Sequence, residues 1–266
     1  MKIGNKNFNE NRTHIMGILN VTDNSFSDGG RYNTLERAIR HAEEMVSEGA
    51  AIIDVGGEST HPGYTQISDE EEIYRVCPVI EKIKAELDIP VSVDTYKSRV
   101  CEAAAKAGAD MINDIWGFKY DGSMAQTAAK YNMSACLMHN RKNTDYSDFM
   151  TELVSELKES IALAENAGIE SIITDPGIGF AKSYEQNLLA MRELDRLKEL
   201  DRPILLGVSK KSVIGITLGG DTDSRLEGTL ATSVYAAMHG CMFVRVHDVA
   251  ENLKAVKMTE SILYGN

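Results

Sequence analysis

The stretch AIIDVGGEST, residues 51–60, decides the fold class of this chain. It is a short apolar run that ends in a polar, glycine-rich cluster. A short run of mainly apolar residues, without regular polar alternation, is typical of a strand that is buried on both faces of a parallel sheet. The same pattern recurs and predicts eight strands, at Ile15–Leu19, Ala51–Val55, Val91–Val93, Met111–Ile112, Ala135–Met138, Ile172–Thr174, Ile204–Val208 and Phe243–Val246.

Longer amphipathic stretches separate these strands and show the spacing of helices. They are Leu35–Ser47, Glu70–Glu86, Lys97–Ala107, Phe149–Ala167, Asn187–Glu199 and Leu226–His239. Capping boxes, in which a short polar side chain pairs with a Glu three residues later, predict three helix starts. They are Asn33 with Glu36, Ser68 with Glu71, and Asp248 with Glu251. Glycines mark four helix ends, at Gly49, Gly108, Gly168 and Gly240.

Eight strands that alternate with helices over 266 residues favour a closed (β/α)8 barrel, or TIM barrel, and an open doubly wound sheet is the alternative. Polar clusters after nearly every strand favour the barrel, because there they meet at the one mouth where such enzymes carry their chemistry. The clusters lie at Asn20, 54–59, Asp94, 113–114, 139–140, Asp175, 209–212 and 245–247. We therefore expect a single α/β domain over residues 1–266, with a small N-terminal extension in residues 1–14.

The composition excludes several classes of protein. A formal net charge of −12 argues against nonspecific binding to nucleic acid or to anionic lipid, since both partners are negatively charged. The four cysteines lack the close pairs that structural zinc requires, so we expect reduced thiols. No apolar segment approaches the length of a signal peptide or a membrane span, which predicts a cytoplasmic protein.

Seven motifs at successive strand ends are similar to those of the dihydropteroate synthase family. They are MGILNVT with NSFSDGG in residues 16–30, DVGGEST with Pro62–Gly63, VDT (93–95), IND (112–114), DPGIGF (175–180), GVSKKS (207–212) and RVHDV (245–249). The resemblance runs in order through essentially the whole chain. It implies a (β/α)8 barrel that joins a pterin methyl diphosphate to 4-aminobenzoate in folate synthesis.

The resemblance also implies the pterin site. A pterin presents a flat ring with an N–H edge and a carbonyl, so its site needs carboxylate, amide and cation in one plane. The residues that match the pterin contacts of the family are Asp94, Asn113, Asp175, Lys211 and Arg245, and those that match its catalytic positions are Lys211, Asp94 and Asn20. Taken alone, Asp175 also suits a turn before Pro176, Asp94 a helix cap and Asn113 a satisfied core amide.

The same resemblance implies sites for the diphosphate and the amine. The diphosphate positions are Asn20, Arg245, His247 and His61, with Mg²⁺ as the cofactor and Asn20 as its protein ligand. The 4-aminobenzoate positions are Thr60, Pro62 and Ser212. The partners are therefore small-molecule substrates, with neither nucleic acid nor membrane, and the family also implies a homodimer built from outer helices.

Three positions depart from the usual family pattern. Asp23–Asn24 stands in place of Pro-Asp, which gives the first loop more conformational freedom. His61 replaces an Arg, so the charge at that position depends on pH. Lys210 replaces a common Arg beside Lys211.

The changes at Asp23, Asn24 and His61 leave a noncatalytic pterin-binding homologue open as an alternative. A pterin-binding methyltransferase is a second alternative, but it needs no diphosphate site, so Asn20, Arg245 and His247 argue against it.

Overall fold

The computed structural model describes residues 1–21, 30–59 and 65–265, and in it eight parallel strands form one barrel. The barrel strands are β3 (His14–Asn20), β4 (Ile52–Gly56), β5 (Val91–Asp94), β6 (Met111–Asp114), β7 (Ser134–Met138), β8 (Ile172–Asp175), β9 (Leu205–Leu206) and β10 (Phe243–Val246). Their order is β8-β7-β6-β5-β4-β3-β10-β9, and a parallel bridge between Thr174 and Ile204 joins the two ends. The predicted closed barrel is confirmed, and the open sheet is excluded.

One strand is shorter than the sequence predicts. The apolar run Ile204–Val208 predicts five residues, but only Leu205–Leu206 pairs with β10. The chain turns directly afterwards, because the amide of Lys211 donates to the carbonyl of Val208 at 3.0 Å. The strand therefore ends early, at Leu206, and the segment that carries Lys211 follows soon after it.

Helices cover the outside of the barrel. They are α1 (Gly30–Glu48), α2 (Asp69–Glu86), α3 (Ser98–Lys106), α4 (Met124–Lys130), α5 (Phe149–Ala167), α6 (Tyr184–Arg192), α7 (Ser212–Leu218), α8 (Leu226–Met238) and α9 (Val249–Tyr264). The predicted helix Asn187–Glu199 is divided between α6 and a 3-10 helix over Leu194–Leu200. The sequence missed α4 and α7, since seven residues are too few to establish a helical period. None of the described helices is both long enough and apolar enough to cross a membrane.

The predicted helix boundaries have mixed outcomes. Ser68 accepts a hydrogen bond from the amide of Glu71, as predicted, and the four helix-ending glycines adopt φ of +100°, +107°, +92° and +75°. The box at Asn33 is wrong because α1 already begins at Gly30. The helix start at Asp248 is as predicted, because Asp248 is the N-cap residue of α9, but the side-chain box is wrong, since the carboxylate binds Lys210 Nζ at 3.0 Å. A capping box that was not predicted joins Ser183 to Gln186 at the start of α6.

Side chains alternate along each strand between the inside of the barrel and the helices. One buried cluster of inward-facing residues closes the lower, N-terminal end: Ile3, Phe8, Met16, Ile52, Met111, Cys136, Ile173, Leu205, Met242 and Phe243. Ile3 and Phe8 come from the N-terminal extension, in which β1 (Lys2–Ile3) and β2 (Lys6–Asn7) form a hairpin. Because this apolar layer fills the bottom, the inward-facing residues one step higher on the strands line the open mouth.

Candidate functional site

A cavity of about 520 Å³ opens at the C-terminal mouth of the barrel. Predicted site residues from six strand ends line it: Asn20, Asp94, Asn113, Asp175, Lys211, Ser212, Arg245 and His247. Thr60, His61 and Pro62, like Asp23–Asn24, lie outside the described residues. The wall also contains residues that the sequence analysis did not assign a role, among them Phe180, Ser209 and Arg225. The structure therefore brings the described predicted residues together, and their individual roles remain predictions.

Arg245 lies at the centre of the polar floor of this cavity. Its Nε donates to Asp54 Oδ2 at 2.6 Å, and its Nη2 donates to Asp94 Oδ2 at 2.6 Å. Asn113 Nδ2 donates to the same Asp54 oxygen at 3.0 Å. Burial opposes the charge of the guanidinium, but the carboxylates of Asp54 and Asp94 outweigh it and raise the pKa of Arg245. Arg245 is therefore a permanent cation that is held between two carboxylates.

Two carboxylate oxygens on this floor have no partner. Asp54 Oδ1 and Asp94 Oδ1 are both buried and accept no hydrogen bond from the described residues. Burial, only partly offset by Arg245 and reinforced by Asp54, raises the pKa of Asp94 to about 7. Asp94 lines the cavity, whereas Asp54 is fully buried beneath it. The unpaired oxygen of Asp94 is therefore suited to an N–H group of a bound heterocycle, because a buried polar atom without a partner has lost its hydrogen bonds with water.

Asp54 contributes to the site, although the sequence indicated it only as part of the polar cluster 54–59 and gave it no role of its own. It is fully buried, ion-paired to Arg245 and bonded to Asn113. The available signal was a single acidic residue inside an otherwise apolar strand, IIDVG. A carboxylate in that position is costly to bury unless it is paired, so it indicates a cation from elsewhere in the chain.

Asp175 acts in a turn and also faces the cavity. Its Oδ1 accepts from the amide of Gly177 at 2.7 Å, which is the turn role that the sequence left open. The residue also lines the cavity, where burial raises the pKa of its carboxyl above the ordinary value. By contrast, Asp94 is no helix cap, because α3 begins after Lys97 without a side-chain cap.

Lys211 crosses the cavity to the loop after β8. Its Nζ donates to the carbonyl of Ile178 at 2.6 Å and lies 4.9 Å from the centre of the Phe180 ring. Burial lowers its pKa to about 8, against the attraction of Asp175 and with the repulsion of Arg245. The ammonium therefore remains mostly protonated at neutral pH, and a single carbonyl is its hydrogen-bond acceptor among the described residues.

His247 differs from the cationic residue that the sequence suggested. Its Nδ1 lies 3.0 Å from Ser209 Oγ, and burial, assisted by the charges of Arg245 and Lys210, lowers its pKa to about 4. The ring is therefore neutral at pH 7 in the absence of an anion. Lys210, the departure from the family beside Lys211, pairs with Asp248 at 3.0 Å.

Two lysines outside the predicted set, Lys97 buried and Lys182 partly buried, brace the loops around the mouth. Lys182 Nζ lies 2.9 Å from His139 Nδ1 and donates to the carbonyl of Phe180 at 3.0 Å, so it joins the ends of two strands. Lys97 Nζ binds Glu58 Oε2 and Glu72 Oε2, each at 2.7 Å. Sequence reasoning missed both, because a lone lysine gives no sign of burial.

Comparisons with known proteins agree with this geometry. The sequence profile of the family described as "pterin binding enzyme" matches residues 16–247. The chain is 58% identical to a dihydropteroate synthase of Clostridium beijerinckii, with 99% of each chain covered. The barrel superposes with a TM-score of 0.93 on a dihydropteroate synthase of Clostridium difficile in the presence of pteroic acid, at 50% identity and full coverage of both chains. It superposes with a TM-score of 0.91 on that of Xanthomonas albilineans with 4-aminobenzoic acid, at 40% identity over 96% of this chain and 94% of the other. The chain belongs to the pterin-binding enzyme family and, within it, to the dihydropteroate synthases.

Proposed function

We propose that the chain joins 6-hydroxymethyl-7,8-dihydropterin diphosphate to 4-aminobenzoate and releases 7,8-dihydropteroate and diphosphate. The observation that carries this function is one cavity whose lining contains Asp94, with its unpaired Oδ1, together with Arg245 and Lys211. A pterin needs the acidic oxygen as an acceptor and the Lys211 ammonium as a donor, and its diphosphate needs the charge of Arg245. Relatives solved with pteroic acid and with 4-aminobenzoic acid support the same pair of substrates.

The pterin ring is proposed to occupy the acidic floor. Asp94 Oδ1, buried and unpaired, accepts one ring N–H, and Asp175 accepts two from the pyrimidine edge. Asn113 adds its side-chain amide in the plane of the pterin ring. The ammonium of Lys211 moves from the Ile178 carbonyl to the oxygen and nitrogen of the ring. In this arrangement Asp94 Oδ1 gains the hydrogen bond that it lacks in the unbound protein, and Lys211 exchanges its one acceptor for two others. Because these polar groups are all paired when the pterin is bound, their desolvation costs little binding energy.

The leaving diphosphate is proposed to lie against Asn20, Arg245 and His247. Arg245 carries a permanent charge, and His247 is neutral before binding, so it first serves as a hydrogen-bond donor. Ser209 favours this role, because a hydroxyl that donates to Nδ1 leaves the ring hydrogen on Nε2. An anion beside the ring then raises its pKa, and the imidazole gains a proton as negative charge develops on the leaving group.

A magnesium ion fits this end of the cavity. Mg²⁺ prefers oxygen ligands and commonly binds through one or two protein groups together with substrate phosphates. Asn20 is an exposed residue with an amide oxygen at the end of β3, and the described residues contain no group of three His, Cys, Asp or Glu that could hold a metal by itself. We therefore propose Asn20 as the protein ligand. When bound, the ion neutralises charge on the diphosphate.

The amine is proposed to enter between Ser212 and the second loop, with Thr60 and Pro62 beside its ring. The bond between the exocyclic CH2 and the diphosphate oxygen breaks and its electron pair leaves with the diphosphate. The nitrogen of 4-aminobenzoate forms a bond to the same carbon, and the proton that the amine loses passes to solvent. A neutral aromatic amine is nucleophilic without activation, so the chain has only to orient the amine and to exclude water.

The test of this function is diphosphate release that depends on 4-aminobenzoate. Purified protein with the pterin diphosphate and Mg²⁺ is expected to release diphosphate only after the amine is added, and to form dihydropteroate in equal amount. Transfer of a methyl group to a cobalamin protein would instead identify a methyltransferase. Pterin binding without either reaction would identify the noncatalytic homologue.

We also propose a homodimer, as the family resemblance implies. Large apolar side chains are exposed on neighbouring outer helices: Met238 at the end of α8 is 59% exposed, and Met258 and Ile262 on α9 are 62% and 72% exposed. A partner that covered them would remove apolar surface from water. Sedimentation of the protein, compared with a Met258→Glu and Ile262→Glu double variant, tests this proposal. The cytoplasmic location remains a prediction from the sequence.

A further inference from the structure

Arg225 is a cation of the cavity wall that the chemistry proposed above does not use. It lies immediately before α8 and lines the cavity together with Ser212 and Thr222. Two other cations of the wall already have acidic partners, since Arg245 binds Asp54 and Asp94 and Lys210 binds Asp248. Arg225 has no ion-pair partner among the side chains that the structure describes.

The guanidinium of Arg225 is only partly satisfied. Its Nη1 donates to the carbonyl of Lys210 at 2.7 Å, whereas Nε is buried and has no acceptor within the described part of the chain. A buried guanidinium nitrogen without an acceptor is costly, because it has lost its hydrogen bonds with water. The guanidinium therefore has one hydrogen bond to a carbonyl and no anionic partner among the described residues.

Helix α7 is shaped to hold this guanidinium beside Ser212. An ideal Cβ at Gly215, in the first turn of α7, would lie only 2.7 Å from Arg225 Nη2 and 2.8 Å from Nε. Any side chain at position 215 would therefore displace the guanidinium. Gly215 on one side and the Lys210 carbonyl on the other keep the charge at the first turn of α7.

We propose that Arg225 binds the carboxylate of the amine substrate and thereby selects aromatic amines that carry an acid group. The inference rests on the proposed function and deepens it. The proposed reaction supplies two anions, but Arg245 and His247 follow β10 and belong to the diphosphate end. Arg225 lies with Ser212 on the α7 side, where the amine is proposed to enter. A guanidinium fork suits a carboxylate better than a lysine ammonium does.

The test compares 4-aminobenzoate with the neutral amine 4-aminobenzamide. We expect Arg225→Gln to lower kcat/KM for 4-aminobenzoate by roughly 10- to 100-fold, the range for a lost hydrogen bond to a charged group. For 4-aminobenzamide the change is expected to stay within about threefold, because no carboxylate is present. Arg225→Lys should recover part of the loss, and Gly215→Ala, which displaces the guanidinium but keeps its charge, should reproduce part of it. Arg99→Gln, whose guanidinium is 64% exposed on α3, is the matched control for charge.

The opposing explanation is that Arg225 only braces the turn at Lys210, which has a left-handed φ of +56°. Equal losses for both amines, in protein that still binds 6-hydroxymethylpterin normally, would establish that role and overturn the proposal. A selective rise in KM for the pterin diphosphate, with weaker inhibition by diphosphate, would assign Arg225 to the leaving group and overturn it as well. Failure of the unaltered protein to turn over would refute the proposed function alone. Calorimetric binding of 4-aminobenzoate to the protein with 6-hydroxymethylpterin and diphosphate would still test Arg225.

Discussion

Asp175→Asn should separate pterin binding from folding stability. The carboxylate is 5% exposed, and its Oδ1 accepts from Gly177 at 2.7 Å. An asparagine retains that hydrogen bond through its amide oxygen, which places the NH2 group where the second carboxylate oxygen faced the cavity. That NH2 group then opposes the N–H edge of the pterin, so that a donor meets a donor. A mismatch of this kind costs about 1–3 kcal/mol, or roughly a 5- to 150-fold loss of affinity.

The same substitution should leave the folded state as stable as before, or more stable. Burial raises the pKa of Asp175, so the native state binds this proton more tightly than the unfolded state does. The stability contribution of the group is therefore fully present below the unfolded pKa of about 4 and is lost as the pH rises through the native value. At pH 7 the parent protein carries this cost, and the asparagine variant does not.

Calorimetry with 6-hydroxymethylpterin measures the affinity, and denaturant unfolding across pH measures the stability. Asp145→Asn, at an exposed position, is the control for the loss of one negative charge. A variant that binds the pterin as tightly as the parent would remove Asp175 from the site. A variant that loses affinity only because it unfolds more easily would show that the turn at Gly177 is its main role.

Three further predictions concern single residues. Lys211→Ala should lower kcat by more than about 100-fold while the unfolding free energy stays level, because burial already disfavours the ammonium; normal activity would mean that the wrong lysine was chosen. Lys97→Met should lower the unfolding free energy by about 3–5 kcal/mol, because it leaves the carboxylates of Glu58 and Glu72 buried without their cation; a change below about 1 kcal/mol would show that these carboxylates are solvated. His61→Arg should raise kcat/KM for the pterin diphosphate relative to the parent more at about pH 8.5 than at about pH 6, since a histidine loses its charge over this range and an arginine does not. A flat ratio near one would assign His61 to a solvated loop.

The sequence determined the architecture because its signals are local. Eight apolar runs, each followed by a polar cluster, were sufficient for the barrel, and the four helix-ending glycines have the left-handed φ that their positions required. Its failures have two different causes. Helices α4 and α7 are too short to show a period, and the capping pattern at Asp248 gave way to a partner 38 residues away in the sequence, Lys210.

Motifs at the strand ends also identified which residues gather at the mouth. A parallel barrel brings the C-terminal ends of all its strands together, so Asn20, Asp94, Asn113, Asp175 and Arg245 are neighbours whatever their separation in the chain. That conclusion follows from the topology of the barrel and from the position of each motif at a strand end, and it requires no measured distance between the residues.

Only the tertiary structure decided which groups are paired and which are left open. Arg245 and Asp54 are 191 residues apart in the sequence, and the residues around either of them do not indicate that the other is its partner. The same holds for Arg225, whose missing acceptor depends on Gly215 and on the turn at Lys210. Pairing, burial and pKa depend on the atoms that surround a group in three dimensions, whereas a strand or a helix start is set by residues within a few positions. The sequence could therefore place the site, and the packing of the barrel determined its charges.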